Sequence, residues 1–360
     1  MSGTARPPAW CRLRCVVAGA AALLLVGCAG ESPGGGEAPG EPRLVFRLAN
    51  ELTPEGRIWD VSRLFEEELE RASPDGSIAA GEIEVVLYDR GMVGTERQLL
   101  ENTYFGVMEV VQINSAVVST IDPAYSLFDL PYLFVDDAHH ERVLNGPIGD
   151  EMLLRLRRHG LVGLGLYGLG FRDMFYKRRG AECIRTPDDL GGLKMRVIES
   201  PIMINAVNVM GASATPVPFS ELFQALRTGV VDGADNAARL FIASRFYETG
   251  ANCFTRTEHF TNQHVLIANR DWLNDLEPRY RERILAVGRA IVPEFNRLWE
   301  EATQDALEEM QEYHVTVNQV DDKAAFIERV QGVSEQYLRD YPEVPRALYD
   351  RIRAAAEGGG

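Results

Sequence analysis

Short apolar runs of strand length alternate with stretches of helical spacing in two separate sets, and this order constrains the fold more than any other feature. In the first set, residues 43–50 (RLVFRLAN) read as a strand with Leu44, Phe46 and Leu48 on one face. Ile58, Val61, Leu64, Phe65 and Leu69 then recur at helical intervals. A strand over 82–88, a helix through GTERQLLENTYFG stopped at Gly106, and a strand over 107–114 complete the set. The second set opens near residue 160 with a glycine-rich strand over 160–170, and a hairpin is expected over 172–184. The strand LKMRVI (193–198) follows, then a helix capped by Ser200 and ended by Gly211, then another with Ser220 as its cap and Gly229 after its last turn. VVDGADN (230–236) is a short strand running into a loop. Beyond it lie a long helix over 276–314, bent near Pro293, and a helical tail. Strands alternating with helices predict parallel pairing, and two such sets predict two α/β lobes with a ligand cleft between them.

One residue conflicts with its surroundings. Within GLKMRVIES (192–200), Leu193, Met195, Val197 and Ile198 call for an apolar interior, yet Arg196 stands among them. Arginine is almost never fully buried without a partner, and its guanidinium cannot shed its proton to escape desolvation. Arg196 therefore needs an anion. On the residues alone that anion is equally a protein carboxylate, with Glu199 and Asp235 as candidates, or the carboxylate of a ligand.

The N-terminus carries Arg6, Arg12 and Arg14 before an apolar run from Val16 to Val26 that is too short to span a bilayer. It closes in LVGC, which resembles a bacterial lipobox, so residues 1–27 are expected to be a lipoprotein signal peptide and Cys28 the lipidated first mature residue. Residues 28–43, with their Gly, Pro and Glu, have the composition of a flexible tether. Cys183 and Cys253 are then the two cysteines of the body, and spacing does not show whether they pair. The formal net charge of −16, with no basic block, disfavours nucleic acid.

Four stretches carry a resemblance to a known family: FDLPYLF (128–134), GFRDMFYKRR (170–179), GLKMRVIESP (192–201) and GASATPVPFSELFQALRTGVVDGADN (211–236). In this order the chain resembles the solute-binding proteins of tripartite ATP-independent periplasmic (TRAP) transporters, of the DctP type, from about residue 43 to at least 293. The resemblance implies a periplasmic-binding-protein-like α/β fold. Lobe I would take residues 44–165 and part of 250–360, and lobe II residues 166–250 with a crossover back to lobe I. A long helix over 277–314 would span them, and 315–360 would form the C-terminal tail. It implies that Arg196 binds a ligand carboxylate, that Arg172 assists, that Asn236 completes the site and that Phe219 lines it. Glu96, Asn114, Glu199 and Asn50 would meet the variable end of the ligand. Three departures stand out: Ile198 replaces a usual proline, Asp235 shortens a usual Glu, and Phe175 and Tyr176 replace polar residues after Arg172, hinting at a more apolar or larger ligand.

The expected function is extracytoplasmic capture of a small carboxylate-containing organic acid and its delivery to a TRAP membrane permease. Lobe closure would be the mechanism, with the protein held at the membrane by lipid. The alternatives are a binding protein serving a sensor or an ATP-driven importer, and an extracytoplasmic enzyme on a similar fold. The sequence offers no nucleophile elbow, dinucleotide fingerprint, phosphate loop or metal-ligand spacing, so no enzymatic activity, metal or cofactor is expected. The paired His139 and His140, between Asp136 and Glu141, read as a solvated helix face.

Overall fold

The computed structural model describes residues 42–52, 61–178 and 182–357. The signal peptide, the lipidated Cys28 and nearly all of the tether lie outside the described residues.

Nine strands among the described residues form a single sheet. They are β1 (Leu44–Ala49), β2 (Ile83–Tyr88), β3 (Val110–Asn114), β4 (Leu161–Tyr176), β5 (Lys194–Val197), β6 (Ser213–Pro216), β7 (Gly233–Asn236), β8 (Cys253–Asn269) and β9 (Thr316–Gln319). Their order is β2-β1-β3-β8-β4-β7-β5-β6, with β9 pairing β8. β1 runs parallel to β2 and β3, and β5 runs parallel to β6 and β7. Between these two parallel groups lie β4 and β8, of 16 and 17 residues, antiparallel to each other and long enough to serve both. β8 pairs β3 through Val265 and its neighbours, while β4 pairs β7 through Asp173–Tyr176. The two lobes thus share one sheet and are joined by two strands.

The glycine-rich strand does not end at Gly170; β4 continues to Tyr176, so the described residues of 172–184 form no hairpin. Register shifts between Gly168 and Phe171 and between Arg172 and Met174 bend the strand, as bulges do, and take the place of the turn. The segment after β4 is pinned instead by a disulfide from Cys183 to Cys253, the first residue of β8. Phe175 packs against Phe241 and Phe246, and the Tyr176 hydroxyl accepts the Ile184 amide. Both rings belong to cores, so the apolar pair after Arg172 says nothing about the ligand.

The long helical pattern resolves into helices Pro278–Ala290 and Val292–Glu312, joined at Ile291. Pro293 has no amide to donate back into the preceding turn, which explains a break at this point. The first helix packs on helix Val61–Glu70, which lies between β1 and β2 in the chain, and the second on β9 and on helix Ala238–Ala243, which follows β7. Close packing needs glycine here: a Cβ on Gly288 would stand 2.6 Å from the Leu164 carbonyl oxygen of β4. His139 and His140 are buried, not solvated. His139 Nε2 lies 2.8 Å from the Ile352 carbonyl and His140 Nε2 lies 3.2 Å from Gln263 Oε1, because the C-terminal helix Arg346–Ala354 and β8 cover that face.

Candidate functional site

In open sheets with parallel strands, ligands bind beyond the carboxyl ends of those strands. Here β1, β3, β5 and β7 all deliver their carboxyl ends to one place. Leu52 follows β1, Asn114 ends β3, Ile198 follows β5 and Asn236 ends β7. All four line one chamber. Glu96, Arg172, Arg196, Phe219, Leu240, Asn262 and His264 complete its wall. An outer recess continues from it past Glu51, Glu96, Arg196, Glu199 and Phe219.

The two arginines differ sharply. Arg172, 2% exposed, donates Nε to Asp235 Oδ2 at 2.6 Å, and Nη2 to Asp235 Oδ1 at 3.1 Å and to the Asp235 carbonyl at 2.7 Å. A bidentate pair of this kind is the strong form of the Arg–carboxylate bond. It holds the Asp235 carboxyl far below the usual range, against the opposing effect of burial, and His259 Nε2 lies 3.5 Å from the same carboxylate. Arg196 is 3% exposed and donates Nε to the Val217 carbonyl at 2.7 Å. Among the described residues it makes no hydrogen bond to a carboxylate. Both protein candidates for its anion are engaged elsewhere: Asp235 with Arg172, and Glu199 with Arg97 at 3.2 Å. Burial, and next the charge of Arg172, pull the Arg196 guanidinium down to about 10. Its carbon Cζ stands 6.0 Å from the centre of the Phe219 ring.

The asparagines form a relay. Asn114 Nδ2 donates to Asn262 Oδ1 at 2.7 Å, and Asn262 Nδ2 donates to Asn236 Oδ1 at 3.0 Å. Asn236 Oδ1 also accepts the Ala237 amide at 2.9 Å, which fixes the orientation of its amide. Its Nδ2 donates to no described residue, so the relay ends in a donor on the chamber wall.

Glu96 opens helix Glu96–Tyr104, held in place by a capping box on Thr95, and accepts the Asn114 amide at 2.8 Å. Burial raises its carboxyl to about 8, with the nearby Glu51 charge adding to the rise. Burial raises Glu51 as well, against the hydrogen bond from Ser220. Burial takes His264 down to about 3, keeping it neutral.

Glu199 and Asn50 lie away from the chamber. The Glu199 side chain is 65% exposed at the mouth of the recess. Asn50 Oδ1 accepts the Leu52 amide at 2.7 Å, and its Nδ2 donates to Ser62 Oγ at 3.1 Å, so it shapes the turn after β1. Of the two expected helix caps, Ser200 stands at the N-cap position of helix Pro201–Met210 and Ser220 does not cap its helix. Ser200 caps no amide with its side chain and donates to Asp129 Oδ2 at 2.8 Å. Ser220 stands inside helix Phe219–Thr228 and donates to Glu51 Oε1 at 3.1 Å. Ser220–Glu51 and Arg97–Glu199 each tie the first half of the chain to the second beside the recess, and Ser200–Asp129 does so within the core. Gly91 allows that approach, since a Cβ there would meet the Ser220 Cβ at 3.2 Å.

Glu51, Asn262 and His264 were missed by sequence reasoning. A signal existed for the last two: FTNQH (260–264) sets consecutive polar residues inside a strand that continues Val265, Leu266, Ile267, Ala268. No comparable signal marks Glu51.

Two α/β lobes on a shared sheet, with a desolvated arginine at the meeting point of four strand ends, define a two-lobed solute-binding protein. The family model for bacterial extracellular solute-binding protein, family 7 (DctP), matches residues 64–340, and the chain belongs to that family. A solute-binding protein of Chromohalobacter salexigens is 30% identical over 271 residues, covering 75% of this chain and 79% of the relative. The sugar acid binding protein of Advenella mimigardefordensis, solved with galactonate, superposes with a TM-score of 0.81 at 27% identity, covering 89% of this chain and 99% of its own. A TRAP periplasmic solute-binding protein of Xanthobacter autotrophicus, solved with β-D-galacturonate, gives 0.77 at 29% identity, covering 86% and 99%. Among the described residues no helix is long and apolar enough to cross a membrane.

Proposed function

We propose that Arg196 clamps the carboxylate of a small organic acid in the chamber. The observation that carries this reading is a buried guanidinium that, among the described residues, donates to a backbone carbonyl and to no carboxylate, while Asp235 and Glu199 are engaged by other arginines. A planar guanidinium matches two carboxylate oxygens at once, and desolvation makes the arriving anion more valuable than it would be in water. Asn236 Nδ2 supplies a further donor. Arg172 faces the chamber with its charge already balanced by Asp235, so it serves chiefly to hold β4 against β7 and to present one edge to the ligand. Phe219 walls the ligand, and Glu96 and Asn114 meet its far end. Glu199 acts as a closure contact with Arg97, and Asn50 shapes the turn that carries Glu51.

Closure follows from differential contacts: only the closed lobes bring Arg196 and Asn236 from one group of strands together with Glu96 and Asn114 from the other. The closed form then delivers its solute to the membrane subunits of a TRAP transporter. Lipid on Cys28 holds the protein at the extracytoplasmic face, and it binds without turning its ligand over. A thermal-shift screen of small organic acids, run beside Arg196→Ala, tests the clamp. A ligand at 100 times its Kd stabilises the native state by about 2.7 kcal/mol. A hit abolished in Arg196→Ala supports the reading, whereas a hit of equal size in that variant removes it.

A further inference from the structure

The end of the sheet behind the chamber carries an apolar knob that solute capture does not explain. β1, β3 and β4 begin at this pole and β8 ends there: Leu44 pairs Ile83, Val110 pairs Ala268 and Leu161 pairs Asn269. It lies a strand's length from the chamber, roughly 20 Å for the six residues of β1. Tyr104, Phe105, Gly106 and Val107, between helix Glu96–Tyr104 and β3, are exposed in succession, Phe105 by 75%. The two rings meet edge to face with centres 5.0 Å apart. Hydrogen bonds fix the knob in place. Asn269 Nδ2 donates to the Thr103 carbonyl, Arg47 Nη2 to the Val107 carbonyl and the Val107 amide to the Asn102 carbonyl, each at 2.8 Å. Gly106 makes the turn at φ 73°, a left-handed conformation that glycine adopts without strain. Apolar groups clustered in water mark a surface with a partner.

Arginines flank the knob. Arg43, Arg47 and Arg270 have exposed side chains. The Arg270 amide donates to the Gly160 carbonyl at 3.1 Å, which brings Arg157 and Arg158 beside it. Nearby acids are already engaged: Glu109 by Arg47, Glu82 by Arg279, Asp271 by Arg270 and Asp122 by Arg155. Arg157 and Arg158 are exposed and make no salt bridge among the described residues. In a chain of formal charge −16 this is a local reversal of sign. The chain also enters its first strand at this pole. Arg43 stands 15 positions after Cys28, so even a fully extended chain keeps it within ~50 Å of lipid at that cysteine.

We propose that this pole rests on the lipid bilayer, with Tyr104 and Phe105 entering the headgroup region while the arginines meet anionic lipid. The inference rests on the lipid at Cys28 proposed above and adds the face that the anchored body presents. Aromatic side chains beside basic ones are the pattern of an interfacial contact, in which buried apolar area and attraction to anionic lipid act together. The permease must take its solute at the cleft, so a surface behind the chamber suits lipid and not that partner.

The experiment uses the full chain, produced in a bacterium that processes lipoproteins and reconstituted on vesicles of phosphatidylglycerol and phosphatidylcholine brominated in its acyl chains. Intact mass reads whether Cys28 carries lipid. Emission of Phe105→Trp, read against the parent, should be quenched by the bromines. Quenching should weaken on phosphatidylcholine alone, and at about 1 M salt, where the Debye length falls to ~3 Å. Adding Arg157→Glu and Arg158→Glu should lower the equilibrium for surface contact by at least ~10-fold. All of these side chains are exposed, so melting temperatures should match the parent's. Val230, also exposed, precedes Gly233, which pairs Tyr176 at the far end of β4. Val230→Trp should therefore stay unquenched. Equal quenching at the two positions would mean a body with no preferred face and would overturn the inference. Lipid on Cys28 without quenching in Phe105→Trp overturns it and spares the anchor. A Cys28 without lipid removes the anchor and this inference with it. Emission that changes only when TRAP membrane subunits are added would give the pole to the permease, against the inference.

Discussion

Two arginines 24 positions apart in the chain, both almost fully buried, should respond in opposite ways to the same replacement by methionine. In Arg172→Met the Asp235 carboxylate loses its two side-chain hydrogen bonds and its counter-charge while remaining buried. Removing one partner from such a pair costs about 3–5 kcal/mol, because an uncompensated charge is left in a low-dielectric site. Arg196→Met removes one hydrogen bond, to the Val217 carbonyl, whose loss costs about 1–3 kcal/mol. Against that stands the relief of a desolvated charge. A guanidinium drawn from 12.5 to about 10 has roughly 3 kcal/mol set against its charged form. The two effects nearly cancel, so Arg196→Met should leave ligand-free stability within about 1 kcal/mol of the parent, or raise it. Urea unfolding of protein stripped of ligand measures both variants, and titration with a bound acid then shows binding lost in Arg196→Met. A loss of 3–5 kcal/mol in Arg196→Met would refute the argument, because it would mean that Arg196 is neutralised inside the protein.

Two further outcomes follow from the same structure. The Glu96 carboxyl sits at about 8 when folded and near 4.5 when unfolded, so between those values the folded state holds the extra proton and stability falls as pH rises. Asp129, raised to about 7 by burial, acts in the same direction. Melting temperatures of ligand-free protein should therefore decline from pH 5 to pH 8. Glu96→Gln should flatten the decline, and a variant profile superposing on the parent's would disprove the assignment. The disulfide closes 70 residues of chain, so opening it in the paired Cys183→Ser and Cys253→Ser variant should cost ~4 kcal/mol in unfolding free energy. A change under ~1 kcal/mol would show that the bridge does not constrain the unfolded chain.

Local pattern carried much of the fold. The alternation of strand and helix spacing foretold β1 to β3, β5 and β7 with the helices between them, because periodicity of burial is a local property, but it missed the short edge strand β6. It failed at residues 172–184, where a continuing strand with bulges replaced a hairpin, and at His139 and His140, which a distant helix and strand bury. Neither outcome is written in the neighbouring residues.

The site divides along the same line. A guanidinium inside an apolar strand demands an anion whatever the fold, so GLKMRVIES alone showed that Arg196 needs one, while leaving open whether the protein or a ligand supplies it. Which carboxylates are already engaged was not legible there. Asp235 reaches Arg172 across 63 positions because β4 pairs β7, and Glu199 reaches Arg97 across 102 because the two groups of strands face each other. The same pairing of distant strands brings Asn262 and His264 to the ends of β3 and β7, and closure of the cleft brings Glu51 to Ser220. Sequence spacing orders residues within one element. Charge balance in a buried site depends on elements far apart in the chain, and only the tertiary structure decides it.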